Sequence, residues 1–281
     1  MKIDLGCHID GYISVAAHTV MVGYVANPAA PITGIKADLF HCAYAAAEVA
    51  SRMIRPGGTN AKITEAMKKI MEAFGVQSIT GTLMHQMKRY VIDGNKMVLL
   101  REDAEQKVES CTFEPNEVYA VDIAVSSGDG KPREMETRTT VFKRVVDKAY
   151  SLRIKGSRQF FNEVNKRFPT LPFSIRSFAD ERNARLGIRE CVGHNLLVPY
   201  PVLFERPNDI IVHVKFTILL LPGGTIKITG LPMPDGIVTE KVLPEEILTI
   251  LAEIPEKKKK DRKKKSAGGV AGVATVPPTT V

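Results

Sequence analysis

The sequence predicts an α+β fold for this chain of 281 residues. Three observations lead there. Apolar residues alternate along stretches such as "NEVYAVDIAVSSGDG" (116–130) and "DIIVHVKFTILLLPGG" (209–224), the pattern of strands. Other stretches carry apolar residues at helical spacing and end on Gly or Pro. The length is enough for one large domain or two modest ones, each able to bury a core.

In chain order, Lys2 to Ile9 alternates partly, and the Asp-Gly pair in "HIDGY" signals a tight hairpin. The return strand is expected from about Tyr12 to Val22. Thr33 to Arg55 reads as a helix, with Ile35, Leu39, Cys42, Ala46, Val49 and Met53 on one face and "PGG" (56–58) stopping it. A second helix, about 61–74, aligns Ile63, Met67 and Ile70 and ends at Gly75. The strand within 116–130 runs into a Gly-rich turn, and "TRTTVFKR" (137–144) is its expected antiparallel partner. Two further helices are expected at Ser157–Phe168 and Phe173–Leu186, broken by "FPTLP" because proline cannot continue a helix. Strands return at 209–224 and "TIKIT" (225–229). The organisation is then an α+β body (1–147 and 207–255), a helical insertion (148–206), and a lysine-rich tail (256–281) of disorder-type composition.

Hydrophobic residues make up 44% and charged residues 25%, ordinary for a globular domain. No apolar run approaches the ~18 residues that span a bilayer, so no membrane insertion is expected. Cys7, Cys42, Cys111 and Cys191 form no CxxC pair and read as reduced, packed thiols. The net charge of +8 is unevenly placed. Residues 148–206 hold eleven basic against five acidic residues, and "EKKKKDRKKK" (256–265) holds eight against two, each a net +6. The remainder is therefore mildly acidic. Two basic regions on an acidic body point to polyanion contact, nucleic acid before anionic membrane.

Spacing alone says little about a site. Asp4, Asp10, His85 and Asp122 are polar residues on apolar strands, compatible with metal ligation, but isolated carboxylates at strand ends commonly cap turns or form salt bridges. His8, His18 and Asp10 fit turn or strand roles better than chemistry.

The blocks "KIDLGCHIDGYI", "GTLMHQMKRYVIDG", "NEVYAVDIAVSSGDG" and "VHVKFTILLLPGG" occur in the order and approximate spacing of the methionine-aminopeptidase-like pita-bread proteins. Over residues 1–235 the chain resembles, within them, the proliferation-associated proteins, also described as ErbB-receptor-binding proteins and non-catalytic relatives of the type 2 methionine aminopeptidases. The resemblance implies a pita-bread fold with the type 2 insertion. The relatives carry roughly a hundred residues before "KIDLG", so the fold is expected to be incomplete at the N-terminus. Exposed strand edges are then expected to make the chain self-associate.

Active members of the superfamily hold two metal ions with two Asp, one His and two Glu. Carried over by motif, these fall on Asp4, Val15, His85, Asp122 and Lys215. Val15 has no lone pair, and Lys215 offers only N–H donors when charged. The expectation is a vestigial site with no metal cofactor, in which Lys215 takes the metal's place as counter-ion to Asp4 and Asp122. His85 is then expected to be a hydrogen-bonded core residue. The alternative is a metal-dependent methionine aminopeptidase with two divalent ions and degenerate ligands.

The resemblance also implies ribosome, rRNA and ribonucleoprotein association and roles in growth, rRNA processing and translation control. It implies residence in cytoplasm and nucleus or nucleolus, and possible signalling or transcription-regulator partners. The expected RNA contacts are Arg153, Lys155, Arg158, Lys166, Arg167, Arg176, Arg182, Arg185 and Arg189 in the insertion. In the tail they are Lys257, Lys258, Lys259, Lys260, Arg262, Lys263, Lys264 and Lys265, which read equally as a nuclear address. Phe160, Phe161, Phe168, Phe173 and Phe178 could stack on bases, but forming the insertion's own core is the preferred reading. A protein–protein adaptor without RNA binding is a further alternative.

Overall fold

The structure, a computed structural model, describes residues 1–24, 30–102 and 106–253. The expected tail, 256–281, lies outside them. The chain opens with β1 (Lys2–Ile9) and β2 (Tyr12–Thr19), joined by Asp10 and Gly11 at φ 49° and 83°. Those angles are the left-handed pair that an Asp-Gly hairpin turn requires. Helices α1 (Ile35–Met53) and α2 (Asn60–Phe74) follow. α1 buries Leu39, Cys42, Ala46 and Val49 in one stripe, while its first predicted apolar residue, Ile35, stays exposed. α2 ends on Gly75 at φ 67°, whose N–H closes back on the last turn.

Next come β3 (Gln77–Ser78), β4 (Leu83–Met87), β5 (Met97–Leu99), β6 (Glu117–Ser126), β7 (Arg133–Glu134) and β8 (Val141–Arg144). The insertion holds α3 (Lys155–Arg167), β9 (Phe173–Ser174), α4 (Glu181–Gly193), β10 (Leu197–Tyr200) and β11 (Leu203–Phe204). The chain returns through β12 (Ile211–Leu221), β13 (Gly224–Lys227) and α5 (Glu245–Ala252).

The main sheet has eight strands, with β1-β2-β12-β6-β4-β5 in order and β13 and β3 attached to β12 and β6. Odd residues of β6 (Tyr119, Val121, Ile123, Val125) and even residues of β12 (Val212, Val214, Phe216, Ile218) face α1, α2 and α5 and form the main core. The opposite residues of the same strands make the other face. β1 is exposed along its whole length.

Two expectations are corrected. Residues 137–144 do not pair with 116–130. β6 is flanked by β12 and β4, and β8 instead joins β9 and β10 in a separate three-stranded sheet. The reason is burial: β6 is covered on both faces and takes the long apolar strand 211–221 as its neighbour, whereas Phe142 of β8 packs into the insertion's core. That core therefore reaches back before residue 148. The helix expected at 173–186 begins instead at Glu181, because Asp180 caps it by accepting from the Asn183 N–H at 2.9 Å. Ser174 similarly caps a single turn at Ile175–Ser177. α5 is an element the sequence reading lacks, although Ile247, Ile250 and Leu251 fall at helical spacing, and strands of two or three residues are too short to show alternation. Phe160, Phe173 and Phe178 are buried in the insertion core with Phe161 and Phe168 packed against it, as the preferred reading had it.

Candidate functional site

The site is one row across four adjacent strands. Asp4 of β1 lies opposite Ala17 of β2, Ala17 opposite Lys215 of β12, and Lys215 opposite Asp122 of β6. All four point to the face away from α1. The small Ala17 side chain leaves room for Lys215 to reach over β2. Its Nζ lies 2.9 Å from Asp4 Oδ2 and 3.0 Å from Asp122 Oδ2. The other Asp122 oxygen, Oδ1, lies 2.7 Å from His213 Nε2. His213 is two residues before Lys215 on the same strand, so alternation puts both on one face. Its backbone is pinned by Thr19, whose Oγ1 accepts from the His213 N–H at 2.8 Å and donates to its carbonyl at 3.0 Å.

Lys215 and Asp122 are nearly buried, with side chains 15% and 13% exposed, whereas Asp4 is 48% exposed. Burial alone would push the Asp122 carboxyl up, but the His213 hydrogen bond and the Lys215 charge hold it below the ordinary carboxylate range. Burial likewise opposes charge on Lys215, and the two carboxylates overrule it and raise its pKa. The result is one ammonium bridging two carboxylates in a cleft of about 500 Å³.

The structure brings three of the five motif positions into direct contact: Asp4, Asp122 and Lys215. Val15 lies two residues from Ala17 and packs on Met87 and Ala120, an apolar patch beside the charges. Its amide and carbonyl are held by Thr217 Oγ1 at 2.9 and 3.1 Å, where the β2–β12 ladder opens. His85 of β4 sits opposite Ala120 and lines the same cleft. It is not the hydrogen-bonded core residue expected, since its buried Nδ1 has no partner among the described residues. His213 was missed in the sequence; its spacing of two from Lys215 was the available signal. Cys7, read as packed, is exposed on β1.

The nine basic residues expected in the insertion are all exposed. Arg167 pairs with Glu163 and lies 4.8 Å over Phe168, and Arg185 pairs with Glu181 at 2.7 Å. Arg158 donates to the carbonyls of Leu152 and Arg153. Arg182, Arg185 and Arg189, with exposed Leu186 among them, share one face of α4. The tail positions 257–265 lie outside the described residues.

A profile of metallopeptidase family M24 matches residues 1–158, more than half of the chain. The chain belongs to family M24. Curated relatives align along most of it. ERBB-3 binding protein 1 of Solanum tuberosum is 44% identical over 260 residues, covering 92% of this chain and 66% of that protein. Proliferation-associated protein A of Dictyostelium discoideum is 44% identical over 234 residues, covering 83% and 60%. The curved DNA-binding protein of Schizosaccharomyces pombe is 37% identical over 261 residues, covering 92% and 67%. The structure of a thermophilic Arx1 superposes with a TM-score of 0.83 at 31% identity, covering 91% of this chain and 74% of that one. The pita-bread fold and the likeness to proliferation-associated proteins, read from motifs, both hold. The chain spans less than two thirds of the length of the first curated relatives it matches.

The M24 pattern implies two divalent ions, and the donor set here does not fit them. An ammonium group occupies the space between the two carboxylates, and Val15 presents only carbon. Among the described residues, no three His, Cys, Asp or Glu side chains are placed to hold a metal ion. Among the same residues, no helix is long and apolar enough to cross a membrane.

Proposed function

We propose that this M24 chain is non-catalytic and binds RNA, associating with ribosomes through the basic surface of its insertion. The observation that carries this reading is the row of Arg182, Arg185 and Arg189 on the open face of α4. Guanidinium groups neutralise phosphates and release counterions. The Arg185–Glu181 pair is exposed and weak, so a phosphate can displace it. The donor set of the cleft supports the non-catalytic half, because Lys215 and Val15 leave no oxygen cage for a water-activating pair of ions. A relative named for binding curved DNA supports polyanion contact. In this reading the chain acts in growth, rRNA processing and translation control. It moves between cytoplasm and nucleus or nucleolus by way of the lysine run at 257–265.

Ribosome co-sedimentation across a salt series tests it. Binding should fall steeply with salt, and Arg182→Ala/Arg185→Ala/Arg189→Ala should flatten the log–log slope by about 2–3. Binding that ignores salt, or a triple variant that behaves as wild type, overturns the RNA half and favours a protein adaptor of the kind the ErbB-3-binding relative's name describes. Cleavage of a Met-peptide with added cobalt overturns the other half and restores the two-ion aminopeptidase.

A further inference from the structure

Two tight turns meet at the tip of the β1–β2 hairpin. The second spans Lys88–Val91, closed by Lys88 N–H to the Val91 carbonyl at 2.8 Å and Val91 N–H to the Lys88 carbonyl at 2.9 Å. Its third residue, Tyr90, sits at φ 61°. Gly or Asn suits that place, and a bulky side chain there is strained. The surroundings hold it: the Tyr90 N–H donates to the Gly11 carbonyl at 2.9 Å. The ring lies so close over Gly11 that a Cβ there would come within 2.5 Å of it. Arg89 donates from Nε to the Asp10 carbonyl at 2.8 Å. Its guanidinium carbon lies 5.2 Å from the Tyr12 ring centre and 5.4 Å from that of Tyr90.

The group is open to solvent. Tyr12 is 68% and Tyr90 39% exposed, and Lys88 and Arg89 are exposed beside them. Among the described residues no carboxylate pairs with Lys88 or Arg89; the exposed Asp10 engages Arg89 through its carbonyl. Backbone bonds close the turn and join it to Gly11, and a glycine at position 90 would meet the same φ without strain. The rings are therefore surplus to the turn.

We propose that Tyr12, Arg89 and Tyr90 form a stacking platform for unpaired bases of single-stranded RNA. Aromatic faces take any base, and an arginine held between two rings supplies a cationic plane at fixed height. Lys88 and Arg89 complement the adjoining phosphates. The platform rests on the RNA reading but uses none of the insertion residues.

The test uses the full chain and a single-stranded RNA of about 12 nucleotides carrying 2-aminopurine, whose emission is quenched on stacking. Wild type should bind and quench. Tyr12→Leu/Tyr90→Gly should bind about tenfold more weakly and lose the quench, with the salt slope kept because no phosphate contact is removed. Tyr12→Phe should behave as wild type. Glycine suits the turn, so retained melting of Tyr90→Gly separates lost stacking from lost fold. Salt-dependent binding without quench, or a double variant that quenches fully, overturns the platform and leaves an intramolecular staple, while the RNA reading stands. Absence of binding to this RNA and to ribosomes at about 50 mM salt overturns both.

Discussion

Lys215 is the residue on which the site turns. It holds Asp4 and Asp122 apart from each other's charge, and removing it would leave two carboxylates facing one another, one of them nearly buried. Lys215→Met should cost about 3 kcal/mol in urea unfolding at neutral pH, the lower end for a broken buried pair because Asp4 is half exposed. Asp122 titrates below its ordinary 3.8 in the folded chain, so its contribution is present above that value and is lost as pH falls through the folded pKa. Lys215 titrates above 10.5, so its contribution is present below that value and is lost as pH rises through the folded pKa. The difference between wild type and Lys215→Met should therefore shrink below about pH 4, and a difference undiminished there contradicts the ion-pair account. Val15→Asp/Lys215→Glu restores oxygen donors at both altered positions. Titration calorimetry should detect cobalt uptake by this double variant and none by wild type. Stoichiometric uptake by wild type would remove the basis for a non-catalytic reading. Val15→Asp alone places a carboxylate among Met87 and Ala120 and should destabilise the chain.

Among the elements, the α3–α4 pair shows how tightly the basic surface is mounted. Gly187 lets α4 approach α3 so closely that an added Cβ would lie 2.6 Å from Phe160 Cδ1 and 2.7 Å from its Cβ. The latter cannot swing aside. Gly187→Ala gains about 1 kcal/mol of helix propensity but should lose more to overpacking, for a net cost of about 1–2 kcal/mol. A rise in Tm would show that the two helices separate freely. The α4 start was misjudged by eight residues because "FSIRSFADER" carries apolar residues that fit a helix. What decides the boundary is the Asp180 cap and the pairing of Phe173 with Phe142, a contact 31 residues away in sequence.

For the molecule as a whole, the two larger buried cores among the described residues support two differently charged surfaces. The larger lies under α1, α2 and α5, the smaller within the insertion. The basic charge concentrates on the insertion and in the 256–265 segment. Deleting 256–265 should reduce the salt slope of ribosome binding by several units while leaving Tm within about 1 °C. A large drop in Tm would instead tie that segment to the folded body.

The sequence by itself determined the pita-bread family, helices α1, α2 and α3 and the Asp-Gly hairpin, and it singled out Asp4, Asp122 and Lys215, which the structure brings together. Those signals are local or tied to ordered motifs, so no contact had to be known. The preference for core packing over base stacking also holds for Phe160, Phe173 and Phe178. Only the tertiary structure decided that β8 leaves β6 for the insertion sheet, that His213 joins Asp122, and that His85 Nδ1 has no partner among the described residues. Each depends on which strand lies beside which. Strand pairing is settled by burial of whole faces across long sequence separations, and alternation within a strand fixes its faces but not its neighbours.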